Sequence, residues 1–483
     1  MPESGKPHFR TIALIVGAAM FMEQLDGTVL ATALPSMARE LGVSAPSLSI
    51  ALTSYLISLA VFIPVSGRIA DRFGARTVFR SAMIIFLLGS ISCANAPNVS
   101  FLVVARFFEG VGGALMMPVG RLVLMRSVEK RDLIQASTWV LIPAVVGPIL
   151  GPPIGGFIIT YLHSWRWIFY INVPIGLLGI VLVSLFIANT RGEVPEKTDY
   201  KGIFLCSLSL ALFLFGFELI SHDGQAILAL SFLTVGALLG ALYIYHARTV
   251  RDPILDISLM RIPTFGTSVI AGAITRLTQG AHPYLLPLMM QLGFGFSAAQ
   301  SGLMTLATAL GSISAKPVAP FCLRRFGFRD VLMINGVLAS AGYAACGLFR
   351  PGWPLPVMFV IMMCSGFFMS IQFTGFNTIA YDEVDQQRMG AATSFYTTFQ
   401  QLMLSMGICA GAAALQGAMV LRGHHVPLFA DFTAAFWTVA GVSLTATIWN
   451  ARFSHEAGME ISGHTPRTWS TRQVIKEPRG LNS

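Results

Sequence analysis

Gly67-Arg68-Ile69-Ala70-Asp71-Arg72-Phe73-Gly74-Ala75-Arg76 lies between two long apolar runs, and a degraded copy of it returns later in the chain. Its core, Arg72-Phe73-Gly74-x-Arg76, reappears as Arg325-Phe326-Gly327-x-Arg329, displaced by 253 residues. In the second copy Arg324 stands where Asp71 would, and Pro320 where Gly67 would. A short, multiply charged connector repeated between apolar runs is how an internally duplicated membrane protein reads.

Composition agrees. Of 483 residues, 54% are apolar and 11% charged, too little polar surface to solvate a domain of this size in water. The bilayer is therefore the expected solvent and partner, and the net charge of +9 is not a nucleic-acid signal but follows from where the bases fall. The six cysteines (Cys93, Cys206, Cys322, Cys346, Cys364, Cys409) are scattered without C-x-x-C spacing and read as packing residues.

A span of the hydrocarbon core takes about 20 residues. On that ruler fourteen runs emerge: six between residues 11 and 190, two from 200 to 247, and six between 263 and 451. With the N-terminus inside, four of the 32 Lys and Arg fall outside (Arg39, Arg166, Arg350, Arg422) and three within spans (Arg106, Arg121, Arg276), leaving 25 in cytoplasmic segments. This bias puts both termini in the cytoplasm. A secretory reading of the start, with Ala31-x-Ala33 as cleavage site, would remove the first span and leave an odd number. The loop Arg251 to Arg261 mixes apolar and charged residues at helical spacing and is expected to be a short interfacial helix.

The first connector closely resembles the G-x-x-x-D-R-x-G-x-R loop of the major facilitator superfamily. Gly147-Pro148-Ile149-Leu150-Gly151-Pro152-Pro153-Ile154-Gly155-Gly156 is similar to the antiporter motif of that superfamily. Trp165-Arg166-Trp167-Ile168-Phe169-Tyr170-Ile171-Asn172-Val173-Pro174-Ile175-Gly176 reads as an aromatic belt at the outer interface, and resembles a hallmark of the fourteen-span drug/proton antiporters of EmrB/QacA type. Leu141-Ile142-Pro143 and Ala309 to Lys316 look like MdtD-type members of that family.

The resemblance implies an all-α integral membrane protein with two six-helix bundles, residues 1–190 and 263–452, separated by two inserted helices in 191–262 and followed by a cytoplasmic tail, 453–483. It implies a proton-coupled multidrug or small-molecule exporter of a bacterial-type inner membrane, functional as a monomer and without cofactor. The insert, Glu218 included, is expected to be peripheral. The connector residues Gly67, Asp71, Arg72, Gly74, Arg76, Arg325 and Arg329 would form a cytoplasmic gate, with Asp71 latching the outward-open state against the facing half.

The ionisable residues inside the spans carry the chemistry. At about 1.5 Å per residue from Thr11, Asp26 lies roughly 22 Å in, with Glu23 one turn away on the same face. An isolated charge at such depth costs at least ~2.5 kcal/mol, so the carboxyl needs a cation or a proton. Arg106-Phe107-Phe108-Glu109-Gly110 resembles the family's R-x-x-Q-G motif with Glu in place of Gln, and Arg106 comes to a depth similar to that of Asp26. Asp26, Glu23, Glu109 and Arg106 are thus the proton-coupling candidates, against the alternative of a permanently paired charge that only joins helices.

The 253-residue offset makes Arg276 the counterpart of Glu23, so the two would either face each other across a cavity or leave Arg276 to neutralise Glu218. Further cavity candidates are Gln279, His282, Tyr55, Trp139 and Asn377. His424-His425 is too sparse for a metal site, and Asp382-Glu383-Val384-Asp385 reads as a solvated loop. No G-x-x-x-x-G-K-S/T loop is present, and no nucleophile and base cluster. That argues against an ATP-driven pump or an enzyme; a channel would not need the duplicated gate. Export of organic anions or metal chelates stays open, because Arg276, Arg106 and Lys316 suit it.

Overall fold

A computed structural model describes residues 9–128, 133–191, 199–220, 224–250, 253–385, 388–423 and 426–464. The pair His424-His425, Arg251-Asp252 and the tail from 465 to 483 lie outside the described residues. All fourteen apolar runs are helical. The first half holds α1 (Phe9–Leu41), α2 (Ser49–Phe73), α3 (Ala75–Ala94), α4 (Val99–Ser127), α5 (Leu133–Leu162) and α6 (Trp167–Phe186). The insert is α7 (Tyr200–Ile220) and α8 (Ala226–Ala247). The second half holds α9 (Pro263–Leu288), α10 (Ala298–Phe326), α11 (Phe328–Cys346), α12 (Leu355–Ile379), α13 (Met389–Arg422) and α14 (Phe429–Asn450).

Local chemistry sets the ends. Asn98 caps α4 by accepting from the Phe101 amide at 2.9 Å, and Ser297 with Gln300 forms a capping box on α10. Among the described residues, eleven helices are long and apolar enough to cross a membrane on their own. Helix α9 falls short because it carries Arg276, Gln279 and a run of threonines, and these can stay in the membrane only by facing protein.

The duplication is visible in backbone geometry. Gly74 and Gly327, 253 residues apart, both end a helix at positive φ, +93° and +79°, where an L side chain is strained. A Cβ at Gly74 would also run into Asn189, and one at Gly327 into His464. Packing repeats as well: α1 lies on α5 as α9 lies on α13, α2 on α4 as α10 on α12, and α3 on α4 as α11 on α12.

The two halves meet along α5 with α10 and along α2 with α13. At the end away from the duplicated connectors, one core crosses the boundary: Leu34, Met37, Leu48 and Trp165 with Leu285, Met289 and Phe436. Bonds between the halves lie there too. Gln291 donates to the Thr32 carbonyl at 2.9 Å, Tyr284 to that of Pro46 at 3.3 Å, and the Ala299 amide to Thr160 Oγ1 at 3.1 Å. Near the connectors each half has its own core, around Phe79 and Val119 in one and around Leu323 and Phe328 in the other. The molecule is closed at one end and parted at the connector end.

Four expectations are corrected. Among the described residues, the 251–261 segment forms only a five-residue 3-10 turn, Ile257–Arg261, because Pro253 and the Asp256 cap leave no room for a longer helix. Its Ile254, Leu255 and Leu259 are buried against Tyr243 and Phe395, so they face protein rather than lipid. Asp256 accepts from Arg388 at 2.8 Å; partial burial opposes the carboxylate, but bonds from Ser258 and Arg388 outweigh it and hold the group below its ordinary range. Second, the Asp382 to Asp385 loop is tied down: Asp382 accepts from the Gly458 amide and Glu383 from Thr264 at the start of α9. Third, Trp165 is no interfacial belt residue; it is buried and donates to Glu40 at 2.6 Å, Arg166 pairs with the same carboxylate, and only Trp167 is freely exposed. Fourth, the insert is peripheral only in α8. Helix α7 fills the groove between α2 and α13 and buries Glu218 completely.

Candidate functional site

Arg106, Asp26 and Glu109 form one buried cluster inside the first half, all three inaccessible to solvent. Arg106 and Glu109, three residues apart on α4, project from one face, and α1 brings Asp26 to them. A single nitrogen, Arg106 Nη1, donates to Asp26 Oδ2 at 2.7 Å and to Glu109 Oε2 at 2.8 Å. Asn172 on α6 donates to Asp26 Oδ1 at 3.2 Å and to Ser90 at 3.0 Å, and the Cys93 thiol donates to Glu109 at 3.3 Å. Tyr55 on α2 lies beneath the guanidinium, 4.3 Å from ring centroid to cation, and its hydroxyl reaches Glu23 at 3.4 Å. Glu23 also accepts from Gln24 at 2.9 Å.

Glycines bury this cluster. A Cβ at Gly89 on α3 would sit 2.6 Å from Glu109 Cα, and one at Gly110 would sit 2.5 Å from Ser58 Oγ on α2. Helices α2 and α3 therefore each meet α4 backbone to backbone, which leaves the three charged side chains fully buried. Gly112 of α4 has the same packing role, lying against the Phe86 amide on α3.

Two carboxylates on one guanidinium leave one negative charge uncompensated. Glu109 Oε1 and Arg106 Nε have no hydrogen-bond partner. Since an unpaired charge in such a place costs several kcal/mol, one further proton is what balances the cluster.

The cavity is elsewhere. A space of about 480 Å³ lies between the halves, lined by Thr28 and Pro152 from the first half and by Gln279, His282, Ser312, Lys316 and Phe373 from the second. Of the six cavity candidates, Gln279 and His282 line it. Arg276 lies behind Phe373, its guanidinium 5.5 Å from that ring and 5.0 Å from Tyr396, with Nε and Nη2 unbonded. Its guanidinium thus lies among aromatic rings of its own half, while Glu218 accepts from Ser49, Thr53 and Cys409. Tyr55 belongs to the charge cluster, Trp139 lies beside Arg10 near the start of α1, and Asn377 donates to the Phe373 carbonyl, turned along its own helix.

The gate residues separate likewise. Asp71 pairs with Arg126 on α4 of its own half at 2.5 Å, Arg72 donates to Tyr200 of the insert at 2.7 Å, and Arg76 to the Ile187 carbonyl at 3.3 Å. Arg329 meets His455, and Gly67 has open space around it. The antiporter-motif glycines Gly147, Gly151 and Gly155 lie against α1 at Phe21, Leu25 and Val29, while Gly156 lies against Ala298 of α10 and Pro152 against Gly302. Asn172, Ser90 and Cys93 were missed as site residues; only Asn172 had a signal, as the polar member of the aromatic motif.

Removing the shared cation should be costly. Arg106→Met is expected to destabilise the fold by about 3–5 kcal/mol, whereas adding Asp26→Asn and Glu109→Gln should restore most of that loss. Thermal unfolding of the detergent-purified variants measures both; a triple variant no more stable than the single one would contradict the charge balance.

Comparison with known proteins identifies the class. The profile of the Major Facilitator Superfamily matches residues 16–408 and 268–478. The chain is 36% identical to the transport protein HsrA of Haemophilus influenzae over 408 residues, 84% of this chain and 88% of that one. It is 34% identical to the multidrug resistance protein MdtD of Cronobacter sakazakii over 446 residues, 89% and 91% of the two chains. In fold it resembles the crystal structure of an auto inhibited POT family peptide transporter, with TM-score 0.67 at 16% identity, covering 92% of this chain and 97% of that one. A duplicated fourteen-helix bundle, a charged connector in two copies and these relatives agree that the chain is a multi-pass membrane transporter and belongs to the major facilitator superfamily.

Proposed function

We propose that this chain exports small molecules, drugs among them, in exchange for protons, by alternating access between the bundles of residues 1–190 and 263–452, with both termini in the cytoplasm of a bacterial-type inner membrane. The observation that carries the reading is the Asp26–Arg106–Glu109 cluster, two buried carboxylates on one guanidinium, one of them on a helix that also lines the cavity between the halves. The names of the MdtD relatives support drug export.

Asp26 is the proton carrier. Helix α1 brings both elements together, since Thr28 lines the cavity while Asp26 faces Arg106. A shift or rotation of α1 on substrate arrival would loosen the Asp26–Arg106 bond and leave Asp26 to take a proton from the acidic outer side. Asp26→Asn should abolish uphill, pH-driven uptake into inverted vesicles, by tenfold or more, while downhill exchange of labelled substrate persists. Full uphill activity in that variant would move the carrier to Glu23 or Glu109.

Asp71 is free to act as a latch in the opposite state, because here the connector end is parted and Asp71 rests on Arg126. Asp71→Asn is expected to slow transport severalfold at normal membrane abundance. Unchanged initial rates would remove the latch role.

A second reading, export of organic anions or their metal chelates, is favoured by one feature: Lys316 and Arg276 flank Phe373, and neither has a carboxylate partner among the described residues. Uncompensated cations at a cavity wall favour a substrate that brings negative charge. Competition by a panel of lipophilic cations and of carboxylates decides between the readings. Carboxylates should compete, and lose that ability in Lys316→Gln, if the second holds.

A further inference from the structure

The 253-residue repeat relates the two seams that join the halves at the closed end, α5 with α10 and α13 with α2, yet equivalent positions in them carry different residues. In the first seam Gly156 lies against the Ala298 carbonyl and Gly302 against that of Pro152, too close for any side chain. Counted 253 residues along, Gly156 corresponds to Cys409, and Gly302 corresponds to Ser49. Side chains at both positions forbid the same backbone approach in the second seam. What joins α2 to α13 there is a carboxylate from outside both halves. Glu218 of α7 accepts from Ser49 Oγ at 2.5 Å, from Thr53 Oγ1 at 2.8 Å and from Cys409 Sγ at 3.1 Å, and Thr53 and Cys409 lie 3.7 Å apart.

We propose that Glu218 is a positioning residue for transport: it ties the α2–α13 seam shut, and its bond to Cys409 breaks each time this end opens. The geometry says where the break falls. Hydroxyls of Ser49 and Thr53 donate to Glu218 from α2 of the first half, whereas from α13 of the second the Cys409 thiol, a weak donor, does so. The insert should therefore travel with the first half, and the contact to Cys409 should be weak enough to release without stalling the cycle. At the other seam glycine packing performs the same closure, with the bond from the Ala299 amide to Thr160 Oγ1 and no carboxylate among the described residues. This inference rests on the alternating-access reading above.

The test is hydrogen–deuterium exchange of the full-length transporter in nanodiscs, read over residues 44–53 and 405–416. Cys409→Val removes the cross-half donor at nearly constant volume, while Cys409→Ser supplies a stronger one. Exchange in both segments should rise about threefold or more in Cys409→Val and fall in Cys409→Ser, in keeping with the worth of one hydrogen bond. Glu218→Ala should exceed Cys409→Val in the same direction; should it fail to fold, the cysteine pair still decides. Equal exchange in Cys409→Val and Cys409→Ser would overturn the tie. Gly156→Val, which props the other seam, is the control: if it too leaves exchange at this end unchanged, alternating access itself fails, whereas a response there with a flat cysteine pair rejects the Glu218 proposal alone.

Discussion

One guanidinium nitrogen shared by two carboxylates is the constraint around which the first half is built. Arg106 cannot stay in the membrane interior without Asp26 and Glu109, and they cannot stay there without it. The cluster is buried because Gly89, Gly110 and their neighbours let α2 and α3 each meet α4 along bare backbone. Asn172 and Tyr55 then fix the geometry from α6 and α2, so five of the six helices of this half converge on one group of charges. The antiporter-motif glycines extend the same logic, laying α5 along the helix that carries Asp26. A motion of α5 against α10 is thereby passed to α1 through contacts with little slack.

The second half repeats the scaffold without repeating the chemistry. Where the first half has three acids and one base at mid-depth, the second has Arg276 with aromatic neighbours and a histidine that bonds Thr308 at 3.2 Å. The buried acid–base cluster thus belongs to the first half alone, whereas the cavity is lined by both halves. Rocking of one rigid half against the other is the motion by which two such sites can influence each other without sharing a residue.

Much of this was legible in the sequence because depth along a helix is a matter of counting. The fourteen spans, the duplication and the nearness of Asp26 to Arg106 all came from positions along the chain. Direction around a helix is not counted so easily. Thr28 and Asp26 are two residues apart, roughly 200° around α1, and one lines the cavity while the other faces α4. The same ambiguity placed Tyr55 and Trp139 in the cavity and aimed Arg276 at Glu23. Glu218 was underrated for another reason: a carboxylate in an inserted helix says nothing about the groove that helix will fill, and its partners, Ser49, Thr53 and Cys409, are distant in sequence and ordinary in type.

The two connectors kept their turn and lost their balance of charge. The first copy, residues 67–76, carries three arginines and Asp71, a net of +2; the second, residues 320–329, carries three arginines and no acid, a net of +3. In the structure they stand apart, and any state that closes this end must bring two positive loops together. Repulsion between them would favour the open-ended arrangement seen here, offset by Asp71 and by Asp330, which directly follows the second copy. Such a bias is screened over about 8 Å at physiological ionic strength. The balance between open and closed connector ends would therefore respond to the salt and the anionic headgroups around them, before any substrate or proton arrives.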